Sequence, residues 1–321
     1  MAGRGEFDLI AELFAPLATD PGARGLGDDG AVLAAGGDDL VVVKDALVEG
    51  VHFLPDDPPA TVARKALRVN LSDLAAMGAE ATHYLLALVR PPRLDDRWLE
   101  AMVEGLADDQ AIFGVSLLGG DTVATPGPLV LAVTALGRVP PGAALTRAGA
   151  GPDEDVWVSG TLGDAAQGLA VLRGAWSPPE AETAALVERY RLPRPRLGLG
   201  ARLRGVATAC LDVSDGLVQD VGHIATRSGV AVTIDAAALP LSDAARDAPD
   251  AVMNALSGGD DYELAFTASS DRRLQIGALA RDLAIPLTRI GRTAAGSGVV
   301  VLDAAGTPVA LDRRGWSHGW R

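Results

Sequence analysis

Aspartates set in glycine-rich turns recur beside short apolar runs along this 321-residue chain, and helical patterns fill the intervals. Alternation of that kind restricts the chain to the α/β class. Strand-like runs cover residues 40–43, 84–89, 129–136, 156–159 and 207–211. Helical periodicity covers 61–77, 97–113, 163–172, 179–191, 218–228 and 272–283. Proline and glycine interrupt both periods at 139–142 and again at 148–152. A domain boundary is expected there, near Arg147, giving domains 1–146 and 147–321.

The acids occur in Gly27-Asp28-Asp29-Gly30, at Asp45 after Val41-Val42-Val43, in Gly119-Gly120-Asp121-Thr122, in Asp212-Val213-Ser214-Asp215-Gly216 and in Gly258-Gly259-Asp260-Asp261. Taken singly, each is explained as a turn, and Ser214 or Asp215 would serve as an N-cap. Taken together, acids at strand ends collect at the carboxyl edge where α/β folds place ligands.

The helix over 61–77 adds another acid. Val62, Ala63, Ala66, Leu67, Val69, Leu71, Leu74 and Met77 fill one arc, and Arg64, Lys65, Arg68 and Ser72 occupy the rest. Asn70 and Asp73 fall inside the apolar arc. A carboxylate there needs a partner: either an arginine or segment it caps, or a metal ion.

Two carboxylates about 4 Å apart repel by roughly 4 kcal/mol at an effective dielectric near 20, so a converging set needs cations. Magnesium suits an all-oxygen set, and ATP is its natural co-ligand. Gly119-Gly120 and the helix start after Asp215 would accommodate phosphate, although turn geometry explains them equally well.

Other classes are disfavoured. A net charge of -14 opposes nucleic-acid binding. No apolar run approaches membrane-spanning length, the N-terminus lacks an export signal, and a lone cysteine excludes an internal disulfide; a cytoplasmic protein is expected. The sequence holds no P-loop, no kinase-like H-R-D with D-F-G and no nucleophile elbow. Gly160-Thr161-Leu162-Gly163 is a weak dinucleotide echo, and the four histidines lack zinc-ligand spacing.

Gly5-Glu6-Phe7, GDDGAV from Gly27, DALVEGVHF from Asp45, NLSDLAAMGA from Asn70, GGDT from Gly119, DVSDGL from Asp212 and SGGDDYEL from Ser257 together resemble the thiamine-monophosphate kinase family. Its superfamily also contains aminoimidazole ribonucleotide synthetase and selenophosphate synthetase. The resemblance implies a two-domain α/β fold of the aminoimidazole ribonucleotide synthetase type. An N-terminal domain would bind ATP and metal and dimerise through its sheet, and a C-terminal α/β domain would complete an active-site cleft. The implied reaction transfers the ATP γ-phosphate to thiamine monophosphate, the last step of thiamine diphosphate synthesis, with no covalent intermediate. Partners would be ATP, thiamine monophosphate and a second copy of the chain.

By the same resemblance, several Mg2+ ions fall to Asp29, Asp45, Asp73, Asp121, Asp212 and Asp215. ATP contacts fall to Gly120, Arg147 and Ser214, and substrate contacts to His52, Glu263 and Trp316, whose ring could stack on the cationic thiamine. No side chain is assigned as nucleophile or general base. Many relatives carry Ser or Thr where Val43 and Lys44 stand here, which leaves the number of magnesium ions open. Two other readings are a sister synthetase of the superfamily and a noncatalytic divalent-cation scaffold.

Overall fold

The computed structural model describes residues 10–20 and 36–316. The Gly5-Glu6-Phe7 and Gly27-Asp28-Asp29-Gly30 motifs lie outside the described residues. The chain divides into two compact units. One is built from the chain up to Leu74 together with Ala79–Gly142, the other from Ala75–Gly78 together with Ala143 onward.

The first unit holds a four-stranded sheet ordered β1-β4-β2-β3. Its strands are β1 (Asp39–Val48), β2 (Glu80–Arg90), β3 (Ser116–Ala124) and β4 (Val130–Val139). β4 runs antiparallel to β1 and β2, and β3 runs parallel to β2. Along β4, Leu131, Val133, Ala135, Gly137 and Val139 are buried and the residues between them half-buried, the period of two that marks a sheet with one covered face. Helices α1 (Pro59–Ala76) and α2 (Asp96–Phe113) belong to the same region of the sequence. The opposite face leaves Leu40, Val42, Leu85 and Val123 exposed.

Three expectations change here. Asp45 does not end its strand: β1 continues to Val48 because β4 pairs with it residue for residue. Gly119-Gly120-Asp121 is not a turn either but the middle of β3. Gly120 permits this, since a Cβ there would stand 1.8 Å from the Leu86 carbonyl oxygen, and the register slips by one residue between Tyr84 and Leu85. On α1, Lys65, Arg68 and Ser72 are buried, contrary to an outward polar arc. Arg64 Nε and Arg68 Nε reach Asp109 of α2 at 2.8 and 2.6 Å, and Lys65 Nζ donates to the His52 carbonyl at 3.0 Å.

The second unit holds a six-stranded sheet ordered β10-β7-β9-β5-β8-β6. Its elements follow as β5 (Asp155–Ser159), α3 (Asp164–Leu172), α4 (Glu180–Arg191), α5 (Leu197–Leu203), β6 (Ala209–Asp212), α6 (Leu217–Ser228), β7 (Val230–Asp235), α7 (Asp243–Arg246), α8 (Ala251–Ser257), β8 (Leu264–Ala268), α9 (Arg273–Leu283), β9 (Leu287–Ala295) and β10 (Gly298–Leu302). Successive strand residues feed two cores. Ala209, Leu211 and Ala265 pack with Leu217, Val221 and Ile224 of α6. Cys210, Leu264 and Phe266 pack with Leu199, Leu203, Ile276 and Leu279. Both sheet faces are therefore covered, and burial raises the Cys210 thiol far above the usual range, leaving it inert. No described helix is long and apolar enough to cross a membrane.

Candidate functional site

In the first unit, Asp45 and Asp121 are mounted on opposite edge strands. Asp45 pairs with Val133, which pairs with Leu86, which pairs with Gly120; Asp121 belongs to the next row, with Ala87, Ala132 and Ala46. Three inter-strand steps of about 4.8 Å separate the two strands. Alternation also sets the two acids on opposite faces, Asp45 with Val41 and Leu47 and Asp121 with Ala87. One ion cannot be ligated by both from a single chain, because Mg–O bonds are about 2.1 Å.

Asp45 has company on its own face. Its backbone N–H donates to Asn70 Oδ1 at 2.9 Å, and Asn70 Nδ2 donates in turn to the Ala66 carbonyl at 3.0 Å. This accounts for the fully buried Asn70 in the apolar arc. Asp73 stands one turn further along the same helix face, half-buried and in the last turn of α1, where the helix dipole disfavours a carboxylate. Arg64 and Arg68 of its own helix are engaged by Asp109. His52 is half-buried, and its Nδ1 accepts the Val48 N–H at 3.0 Å, so that nitrogen carries no proton. Lys44 and Val43 provide no hydroxyl, and Lys44 is exposed on the face opposite Asp45.

In the second unit, the expected residues come together around one turn between β6 and α6. Asp212 closes β6, and Gly216, with φ 134°, precedes α6 as its N-cap without any side-chain cap. Neither Ser214 nor Asp215 is the N-cap, because the chain needs Gly216's conformation to enter the helix. Beside this turn runs the Gly258–Glu263 segment: Asp260 N–H donates to the Ser214 carbonyl, Tyr262 N–H to the Val213 carbonyl and Val213 N–H to the Glu263 carbonyl, each at 2.8 Å. Asp260 and Tyr262 hold left-handed φ values of 63° and 50°, strain that those hydrogen bonds over-determine.

Trp316 joins the same turn from the C-terminal segment. Its N–H donates to the Asp215 carbonyl at 2.9 Å, and Gln219 Nε2 bridges Asp215 Oδ2 at 3.0 Å and the Trp316 carbonyl at 2.7 Å. The residue is 47% exposed. Asp212, Ser214, Asp215 and Trp316 thus lie together. Arg147 does not join them: its carbonyl accepts from Ser228 at the far end of α6, about 17 Å from the turn by helical rise.

Glu263 lies next to the turn but faces inward. It is fully buried, and its carboxylate accepts from Ser159 Oγ at 2.6 Å, Arg189 Nη2 at 2.9 Å and Arg196 Nε at 2.6 Å. Asp261 takes the Gly163 N–H on both oxygens at 3.0 and 2.9 Å, so the Gly160–Gly163 echo meets a carboxylate of the protein itself. Burial raises Asp261 well above the carboxylate range despite that amide and Arg189.

Asp220, Gln219, Arg189 and Arg196 escaped sequence reading. Asp220 carried the signal used for Asp73, since it falls in the α6 arc of Leu217, Val221 and Ile224. Burial, then the Asp212 carboxylate, pushes it up to about 8.

Among the described residues, no group of three or more His, Cys, Asp or Glu side chains is placed to hold a metal ion. The oxygen donors occur in smaller sets: Asp45, whose backbone is tied to Asn70 of the helix that carries Asp73, and Asp212 with Asp215. Such sets fit magnesium, which is bound by one or two carboxylates with water and phosphate completing the shell.

Residues 27–139 match the family model described as AIR synthase related protein, N-terminal domain. The chain is 43% identical to a thiamine-monophosphate kinase of Caulobacter vibrioides, with 98% of this chain and 91% of the relative covered. It is similar to the crystal structure of thiamine-monophosphate kinase from Stenotrophomonas maltophilia, with TM-score 0.84 and 46% identity over 92% of this chain and 96% of that one. It is also similar to AaThiL complexed with AMPPCP and TMP, with TM-score 0.79 and 32% identity over 98% and 97% of the two chains.

Proposed function

Because the chain belongs to the thiamine-monophosphate kinase family, we propose that it transfers the γ-phosphate of ATP directly and in line onto the phosphate of thiamine monophosphate, as a cytoplasmic homodimer using Mg2+. The observation that carries this reading is the turn at 212–216, which carries Asp212, Ser214 and Asp215 and to which hydrogen bonds with Asp215 and Gln219 tie the backbone of the partly exposed Trp316. Acids beside a face able to stack on a cationic ring are what a thiamine phosphate requires. AaThiL, with TMP and AMPPCP bound, supports the same pair of substrates for this chain.

The acceptor is itself a phosphate with a second pKa near about 6, largely ionised at neutral pH, so no side chain need act as general base. What the protein must do is align two polyanions and oppose the charge between them. Asp45 with Asp73, Asp212 with Asp215, Asp121 and the undescribed Asp29 would hold Mg2+, which supplies that neutralising charge. Ser214, Gly120 and Arg147 are the proposed ATP contacts, and His52 and Trp316 the proposed thiamine phosphate contacts. Glu263, buried under Arg189 and Arg196, fits a supporting role for the neighbouring turn better than a direct contact.

The first unit supports the homodimer. Asp45 and Asp121 of one chain cannot share an ion, and the sheet face that bears Asp121 also exposes Val42, Leu85 and Val123. A second copy would cover that apolar face and bring its own acids.

The test is ADP release and thiamine diphosphate formation with ATP, Mg2+ and thiamine monophosphate, beside Asp45→Asn and Asp121→Asn variants. Product from the parent chain and its loss in both variants is the expected result. ATP turnover without thiamine diphosphate would assign a sister synthetase, and no turnover would assign a binding protein.

A further inference from the structure

We propose that Asp220 is a positioning residue that fixes the 212–216 turn by accepting its two backbone amides. Asp220 is 5% exposed, and one oxygen, Oδ2, accepts both the Asp215 N–H at 3.1 Å and the Gly216 N–H at 3.0 Å. The turn's carbonyls are held from another side, Val213 by Tyr262 and Ser214 by Asp260. Gly216 closes a third direction, since a Cβ there would lie 2.9 Å from Ser257 Cα. With the Val213, Asp215 and Gly216 amides and the Val213 and Ser214 carbonyls committed to the protein, little of the turn's backbone is left to offer a ligand.

A consequence concerns phosphate. Amides just ahead of a helix commonly bind an anion directly. Here an internal carboxylate occupies that position for Asp215 and Gly216, so neither amide is available to ATP. Contact with nucleotide at this turn falls to Ser214 and to whatever cation Asp212 and Asp215 hold. This rests on the proposed reading of the turn as part of the ATP and metal site, whereas the hold on the two amides does not.

The test compares Asp220→Asn with Asp220→Ala. An asparagine side-chain oxygen can accept both amides, and alanine can accept neither. Hydrogen–deuterium exchange across 212–220, on full-length protein without metal or nucleotide, reads the hold directly. Steady-state kinetics read its effect on KM for ATP against kcat. Asp220→Asn should keep the protection and stay within about 3-fold of the parent kcat/KM, while Asp220→Ala loses protection and about 10- to 100-fold of kcat/KM, the usual cost of removing a residue that orients metal ligands. Where Asp220→Ala does not fold, Asp220→Ser, too short to reach both amides, takes its place. Unchanged exchange in the alanine or serine variant overturns the proposal, as does an asparagine variant that keeps protection but loses activity like alanine. Absence of thiamine diphosphate from the parent chain would refute the functional reading and leave the exchange comparison to decide on Asp220.

Discussion

Asp45 and Asp121 are carried by paired strands of the first unit, whereas Asp212 and Asp215 are carried by a turn of the second that hydrogen bonds hold in place. On a strand, an acid's position is set by register, and no side chain need orient it. Register also enforces separation: four strands of one sheet cannot bring their two edges together. A turn can bring two acids close, but only if other residues fix its backbone. The first unit therefore holds its two acids apart on fixed strands, and the second offers adjacent acids that need supporting residues to stay put.

The largest effect tests the first half of that contrast. Asp45→Asn and Asp121→Asn should each lower turnover by about 10^2- to 10^3-fold, the usual loss on removing a group that stabilises transition-state charge. Mixing the two inactive proteins after dissociation and reassociation separates one chain from two. If a site draws Asp45 from one copy and Asp121 from the other, half of the assemblies are mixed dimers holding one intact site each, and about a quarter of parental activity returns. If each chain supplies both acids to its own site, nothing returns.

The second half turns on Glu263. Glu263→Gln leaves Arg189 and Arg196 facing a neutral partner in a buried place, at a cost of about 3 to 5 kcal/mol. Thermal unfolding and the KM for thiamine monophosphate should move together, because Glu263 supports the turn. A raised KM at unchanged melting temperature would make Glu263 a direct contact and weaken the contrast.

Gly120→Ala should cost about 1 to 3 kcal/mol, since the new methyl must displace the Leu86 carbonyl and with it the pairing of β3 to β2. Melting should fall by about 2 to 4 °C for each kcal/mol lost. An alanine variant that melts like the parent but binds ATP poorly would show that Gly120 serves the nucleotide rather than the sheet.

The sequence made some of this legible and concealed the rest for physical reasons. Helical periodicity located α2, α3, α4, α6 and α9 to within a residue at each end, because each carries an apolar stripe bounded by turn residues. β3 was hidden because Gly119-Gly120, normally a turn signal, is what lets that strand approach Leu86. β7, β8 and β10 are short apolar runs that were missed, and β9 is hidden among glycine, threonine and arginines that do not alternate cleanly. The family resemblance chose the acids. Spacing could not reveal that Asp45 and Asp121 occupy opposite edges, since strand order is a long-range property. The inward aim of Glu263 was invisible for a related reason: its partners Arg189 and Arg196 come from other elements.

The smallest effect concerns an acid of the second unit that has no proposed role. Asp155 is buried at the start of β5, and Arg273 Nε at 2.6 Å, helped by Arg289, holds its carboxyl below the usual range. A carboxylate lowered on folding stabilises the native state at pH values above its ordinary pKa of about 3.9, and that contribution disappears as pH falls through the lower folded value. Asp155→Asn should therefore unfold at lower denaturant than the parent at neutral pH, with the gap narrowing below about pH 4. Its kinetics should match the parent's throughout, because an ion pair that only braces β5 against α9 has nothing to hold at the 212–216 turn. A change in KM for ATP in this variant would mean that the turn depends on the rest of its sheet and not only on the residues bonded to it.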